Sequence, residues 1–157
     1  MAQAFLDTIE KHKGLLYKVA GLYTDNRHDR EDLYQEILYR LWKSFDTFEG
    51  RSSIGTWMYR VAMNTSIYFV KQQQRRPKIT ALPPETLAYE EDAAVEERFA
   101  LMHQHIGRLG LLDKGIVMLY FEGKSYEEIA AIVGISPSNV GTRLSRIRDK
   151  LKKQVWT

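Results

Sequence analysis

The sequence predicts an all-α protein built as two small helical domains on a flexible linker. Three observations carry this reading. Apolar residues recur at three- and four-residue steps through most of the chain, the period of an amphipathic helix. No segment shows the alternation of a half-buried strand. The helical pattern lapses once, around Pro77, Pro83 and Pro84, where fixed φ angles and missing N–H donors rule out a continuous helix. At 157 residues the chain suits one ordinary domain or two small ones.

The first helix is carried by Phe5, Ile9, Leu16, Val19, Ala20 and Tyr23. Asp25-Asn26-Arg27 reads as a turn. A second helix is expected from near Asp29, with Glu31 and Asp32 in its first turn, where the helix dipole favours negative charge. Leu33, Ile37 and Leu41 form its buried stripe. Glu49-Gly50-Arg51-Ser52 breaks the pattern. A third helix follows through Ile54, Trp57, Met58, Val61 and Ala62, with apolar character to Val70. The expected boundaries are 1–76, a linker over 77–93, and 94–157. Helix resumes near Asp92 and carries Val95, Phe99, Met102 and Ile106, then yields at Gly107 and Gly110. Ile116, Val117, Leu119, Tyr120 and Phe121 form the next helix, which Gly123 ends.

The C-terminal segment holds the sharpest local signal. Ser125-Tyr126-Glu127-Glu128 is a capping box, in which the serine and the glutamate three residues on satisfy each other's backbone donors. A short helix runs to Gly134, which tolerates the left-handed turn. Ser136-Pro137 then starts another, as cap and first helical residue. Two helices on so short a turn form a helix-turn-helix. Val140, Leu144, Ile147 and Leu151 line one side of the second helix. Thr142, Arg146 and Lys153 point away from it, with Asn139 nearby and Arg143 on the flank. A helix that enters a major groove needs this distribution. Arg and Asn can bond guanine and adenine edges bidentately, while Lys150, Lys152 and Lys153 suit phosphates. A helical hairpin with a solvated basic face is the competing explanation.

The net charge of +3 says little, but its distribution says more. Arg51, Arg60, Lys71, Arg75, Arg76 and Lys78 share a stretch with no acid. Arg143, Arg146, Arg148, Lys150, Lys152 and Lys153 crowd the C-terminal helix. Glu90, Glu91, Asp92, Glu96 and Glu97 lie between. Two basic zones divided by an acidic one suit two contacts with a polyanion, or ordinary solvated faces. The acidic segment is also placed to fold back on a basic zone in the free protein.

Other chemistry is not called for. The chain has no cysteine. His103 and His105 diverge by about 200° on a helix, and His12 and His28 stand alone in the sequence. No metal or cofactor site, no catalytic residue and no enzymatic activity are expected. No signal peptide and no membrane-inserting segment are read, which fits a cytoplasmic protein.

The two halves together resemble an extracytoplasmic-function (ECF) sigma factor of bacterial RNA polymerase, over nearly the whole chain. Tyr126-Glu127-Glu128-Ile129-Ala130 through Arg143-Leu144-Ser145-Arg146-Ile147-Arg148 looks like region 4, which reads the −35 element. The resemblance puts Asn139, Gly141, Thr142, Arg143, Ser145 and Arg146 on the reading surface. Asp32-Leu33-Tyr34-Gln35-Glu36 looks like the region 2 helix that grips the polymerase β′ clamp, through Asp32, Gln35 and Glu36. Thr56-Trp57-Met58-Tyr59-Arg60-Val61-Ala62-Met63-Asn64-Thr65 looks like the segment that engages and melts the −10 element. It implies DNA contacts by Trp57, Tyr59, Arg60, Asn64, Tyr68, Arg75 and Arg76. Extruded bases need stacking surfaces and edge-bonding groups, which these residues supply. Tyr68 falls in the loop expected to select the flipped base, where relatives often carry an acid or an amide. Met63 stands where a basic residue is frequent. The Gly107–Gly110 junction is richer in glycine than usual. The implied partners are core polymerase (β′ clamp and β flap), promoter DNA and an anti-sigma factor. A stand-alone helix-turn-helix regulator and a degenerate adaptor that reads no DNA remain alternatives.

Overall fold

A computed structural model describes residues 2–76 and 90–156, without the side chains of 90–92 and 154–156. The described residues form seven α-helices and no strand: α1 (Ala2–Leu22), α2 (Arg27–Ser44), α3 (Ile54–Arg75), α4 (Glu90–Ile106), α5 (Leu111–Phe121), α6 (Tyr126–Val133) and α7 (Pro137–Trp156), with a 3-10 turn at Phe45–Thr47.

Local chemistry sets most boundaries. Asn26 caps α2 by accepting from the Asp29 N–H at 2.8 Å, so this helix opens two residues earlier than expected. Ser53 caps α3 through the Thr56 N–H at 3.1 Å. The capping box forms in both directions, Glu128 N–H to Ser125 Oγ at 3.1 Å and Ser125 N–H to Glu128 Oε1 at 3.2 Å. Gly134 adopts φ +81° between α6 and α7, and Ser136 Oγ accepts from the Asn139 N–H at 3.1 Å.

Residues 77–89 of the expected linker lie outside the described residues. Its last four residues belong to α4, which begins at Glu90. Helices α1–α3 pack on one another, as do α5–α7. Leu16, Leu33, Ile37, Leu41 and Met58 fill the first group, while Ile116, Leu119, Ile129 and Val140 fill the second. The two groups are also in contact, α3 against α6 and α1 against α5, and α4 packs on α1. Their buried apolar side chains form one continuous cluster.

Candidate nucleic-acid and polymerase interfaces

Helix α3 sorts its residues by face. At 100° per residue, Trp57, Arg60, Asn64, Tyr68, Lys71 and Arg75 fall within an arc of roughly 80°. All are exposed except Trp57, which is half-buried. Met58, Tyr59, Ala62, Met63, Thr65 and Ser66 occupy the opposite, buried side. The structure therefore brings most of the residues expected at the −10 element onto one solvent-facing stripe. Arg76 is exposed just past its end.

Tyr59 does not join the stripe. Its hydroxyl lies 2.9 Å from His12 Nδ1, and Lys124 Nζ sits 5.2 Å from its ring centroid. Burial, then the nearby Glu122 charge, raises its pKa.

Tyr68 requires a correction. It lies on the continuous helix α3, more than half exposed, and not in a loop. No glycine or proline interrupts the chain between Thr56 and Arg76, so nothing there ends the helix. The break comes before α3, where Gly50 takes φ +73°. A cavity of about 160 Å³ opens there between Thr47, Phe48, Ser52, Trp57 and Arg60. The Phe48 and Trp57 ring centroids are 5.2 Å apart.

Helix α2 runs beside the stripe and adds cations that sequence reasoning missed. Arg40 and Lys43 line a groove with Val61, Asn64 and Tyr68. The Arg40 guanidinium lies 5.6 Å from the Tyr68 ring centroid. Both cations are exposed, Lys43 on the face of α2 away from Leu33, Ile37 and Leu41 and Arg40 on the flank of that stripe. Asp32, Gln35 and Glu36 share this outer side, with Glu36 only half-buried. Asp32 and Glu36 also line a cavity with Thr65, Tyr68 and Arg76. Glu36 pairs with Arg40 at 3.0 Å. His28 has acidic neighbours after all, since His28, Asp29 and Asp32 place potential metal-binding atoms within 4.8 Å of one another. These side chains are already engaged, Asp29 as acceptor from Asn26 Nδ2 and Asp32 beside His28 at 3.4 Å.

In the C-terminal group the outward face of α7 is open. Asn139, Thr142, Ser145, Arg146 and Arg148 are exposed. Gly141 serves packing, because a Cβ there would meet the Tyr126 ring at 3.3 Å. Arg143 is engaged internally. Its Nη1 donates to Asp113 Oδ1 at 2.9 Å, and its Nε is buried without a partner. An apolar groove that sequence reasoning also missed lies between α5 and α7. Val117, Phe121, Leu144, Ile147 and Leu151 line it, and Phe121 is 72% exposed.

Within the acidic segment, the described contact is made by Glu96. Glu96 pairs with Arg30 of α2. Among the described residues, no helix is long and apolar enough to cross a membrane.

The comparisons with known proteins agree with this geometry. The family described as Sigma-70 region 2 matches residues 8–76, and that described as Sigma-70, region 4 matches residues 106–151. The ECF RNA polymerase sigma factor SigW of Bacillus subtilis (strain 168) is 30% identical over 168 residues, covering 97% of this chain and 89% of its own. The sigma factor SigV of the same organism is 29% identical over 149 residues, covering 94% and 88%. Two solved structures share the fold at TM-score 0.72. One is CnrH in complex with the cytosolic domain of CnrY, at 21% identity and covering 99% of this chain and 89% of that one. The other is the sigma factor RpoE in complex with the anti-sigma factor NepR from Bartonella quintana, at 20% identity and covering 99% and 98%. A region 2 module and a region 4 module in one helical chain define a sigma-70-type initiation factor. This chain belongs to its extracytoplasmic-function family, whose members direct RNA polymerase to promoters.

Proposed function

We propose that the chain binds core RNA polymerase, reads −35 duplex DNA with α7 and holds the opened −10 strand along α3. The observation that carries this is the pairing of two exposed faces in one chain. One is the Trp57–Arg60–Asn64–Tyr68 stripe beside Arg40 and Lys43. The other is the Asn139–Thr142–Ser145–Arg146 face of α7. An aromatic and basic groove suits single-stranded bases, and a capped helix presented by a helix-turn-helix suits a major groove.

The other surfaces take the remaining roles. Asp32, Gln35 and Glu36 offer acceptors to the β′ clamp. The groove between α5 and α7 offers the β flap an apolar seat. The cavity beside Phe48 and Trp57 is sized for the edge of one flipped base. An anti-sigma factor is a natural partner, as the solved neighbours in complex with CnrY and NepR suggest. The chain acts by binding energy and not by catalysis: contacts to an extruded base offset the cost of opening the duplex. Its work is in the cytoplasm, where core polymerase is.

The test is reconstitution of the purified chain with core polymerase on a genomic fragment library. Promoter-specific transcripts are expected. Their complete absence refutes initiation and leaves a DNA-binding regulator or a polymerase-bound adaptor.

A further inference from the structure

Helices α2 and α3 leave a groove between them that is separate from the cavity beside Phe48 and Trp57. Its volume is about 440 Å³, within the range of sites that hold a small ligand. Arg40 and Lys43 line it from α2, and Asn64, Thr65 and Tyr68 from α3. None of its lining residues is acidic. Tyr68 lies about 16 Å farther along α3 than Trp57, too far for one base to occupy both places.

The two walls supply different parts of a nucleotide site. Tyr68 is 54% exposed, so its ring is open to a planar ligand. The Arg40 guanidinium lies 5.6 Å from the ring centroid, within reach of a cation–π contact. Arg40 is itself held, since its Nε donates to Glu36 Oε1 at 3.0 Å. That bond leaves both Nη groups of the fork for an anion. Lys43, also exposed, adds a second cation. On α3, Asn64 offers an amide that donates and accepts. Thr65 is 4% exposed yet lines the groove. The next residue, Ser66, commits its hydroxyl to the Ala62 carbonyl at 2.7 Å. Thr65 makes no such bond among the described residues. A nearly buried hydroxyl without a protein partner is a group that a ligand can satisfy.

A phosphate beside the cations, a ring over the tyrosine and an edge toward the amide and hydroxyl describe one unpaired nucleotide. We propose that this groove is a second base-binding subsite, in which an unpaired base stacks on Tyr68 and its phosphate rests on Arg40 and Lys43. Arg40 is the positioning residue, because it braces the ring and carries the anion at once. Stacking is indifferent to which base is present. Asn64 and Thr65 each donate and accept, so no base edge is excluded. The subsite therefore grips the strand without selecting its sequence. That the strand is the opened −10 strand rests on the initiation reading, but a subsite for unpaired bases does not.

The test uses the full chain bound to core polymerase and a synthetic duplex with a short preformed bubble. An abasic nucleotide, which keeps the phosphate and removes the base, is moved through the unpaired strand, and affinity is measured at each position. Wild type is expected to show two separate sensitive positions, with a loss of about tenfold at the one held by Tyr68. Tyr68→Ala is expected to abolish that position and leave the other. All four bases there are expected to bind within about threefold of one another. Arg40→Gln is expected to lower the salt slope by about one. Arg40→Lys is expected to restore the slope but not the full abasic effect, because an ammonium group lacks the planar fork. All three substitutions are at exposed positions, and circular dichroism verifies that each variant keeps its helical content. An abasic profile identical in wild type and Tyr68→Ala overturns the subsite. So does a Tyr68 position that accepts only one base, because the groove then reads an edge. An unchanged slope in Arg40→Gln overturns the role given to Arg40. The same scan is run with the chain alone on a free single strand. A chain that fails to bind polymerase but shows the Tyr68-dependent position there keeps the subsite and loses the initiation reading. No Tyr68 dependence in either form overturns the subsite.

Discussion

Two arginines one helical turn apart on α7 illustrate how position decides role. Arg146 is exposed on the outward face. Arg143 is tied to Asp113 of α5 at 2.9 Å, with side chains 36% and 21% exposed. Arg146→Ala is expected to weaken promoter binding by about 1–3 kcal/mol and to relax selectivity at one −35 position, as loss of a bidentate base contact does. Competition binding against single-base promoter variants measures it, and equal weakening on every sequence would reassign Arg146 to phosphate. Arg143→Ala is expected to lower the melting temperature more than Arg146→Ala, because it strands the partner carboxylate of Asp113. Sequence spacing put Arg146 on the outward face and Arg143 on its flank, while the resemblance put both on the reading surface. The ion pair itself was not legible, because Asp113 lies thirty positions away and no local pattern announces so distant a pair.

Among the elements, α6 depends most on its cap. It has eight residues, too few to persist on helix propensity alone. Ser125→Ala is expected to cost about 1 kcal/mol, read by denaturant unfolding. The acid limb has a definite sign. Backbone and side-chain hydrogen bonds to Ser125 lower the Glu128 pKa below its ordinary 4.5. The unfolded chain therefore binds the proton more readily. The contribution of Glu128 is complete above its ordinary value of 4.5 and is lost as pH falls through the lowered one. Glu128→Gln is expected to remove that part of the acid dependence, and an unchanged pH profile in the variant would refute the assignment. The capping box, the Gly134 turn and the Ser136 cap were all legible, since each is a contact within four residues. Tyr68 was misplaced for the opposite reason. Resemblance put it in a loop, although nothing between Ile54 and Arg75 stops a helix. The docking of α4 was not legible either. A notch at Gly21 leaves no periodic trace, and a glycine near a helix end reads as a stop before it reads as a seat for a distant Phe99.

At the scale of the molecule, the junction between the two helical groups determines how the chain unfolds. Two domains on a free tether melt independently, each with its own midpoint. Here the buried apolar side chains form one cluster, and the junction is shaped by Gly21 and Gly115 to accept Phe99 and Met63. Met63 is 2% exposed at a position where the family pattern often has a basic residue. Its apolar character is what the junction with Gly115 and Tyr23 requires. An uncompensated lysine there costs several kcal/mol to bury, more than a junction between small domains can supply, so the groups part and leave the charge in water. Met63→Lys is therefore expected to convert one cooperative calorimetric transition into two, while the helical content at room temperature is unchanged. A single transition moved to lower temperature would mean that the introduced ammonium group remains buried in an intact junction. Two transitions already present in the wild type would mean that the junction carries no cooperativity, and the shared core would then be a contact without thermodynamic weight.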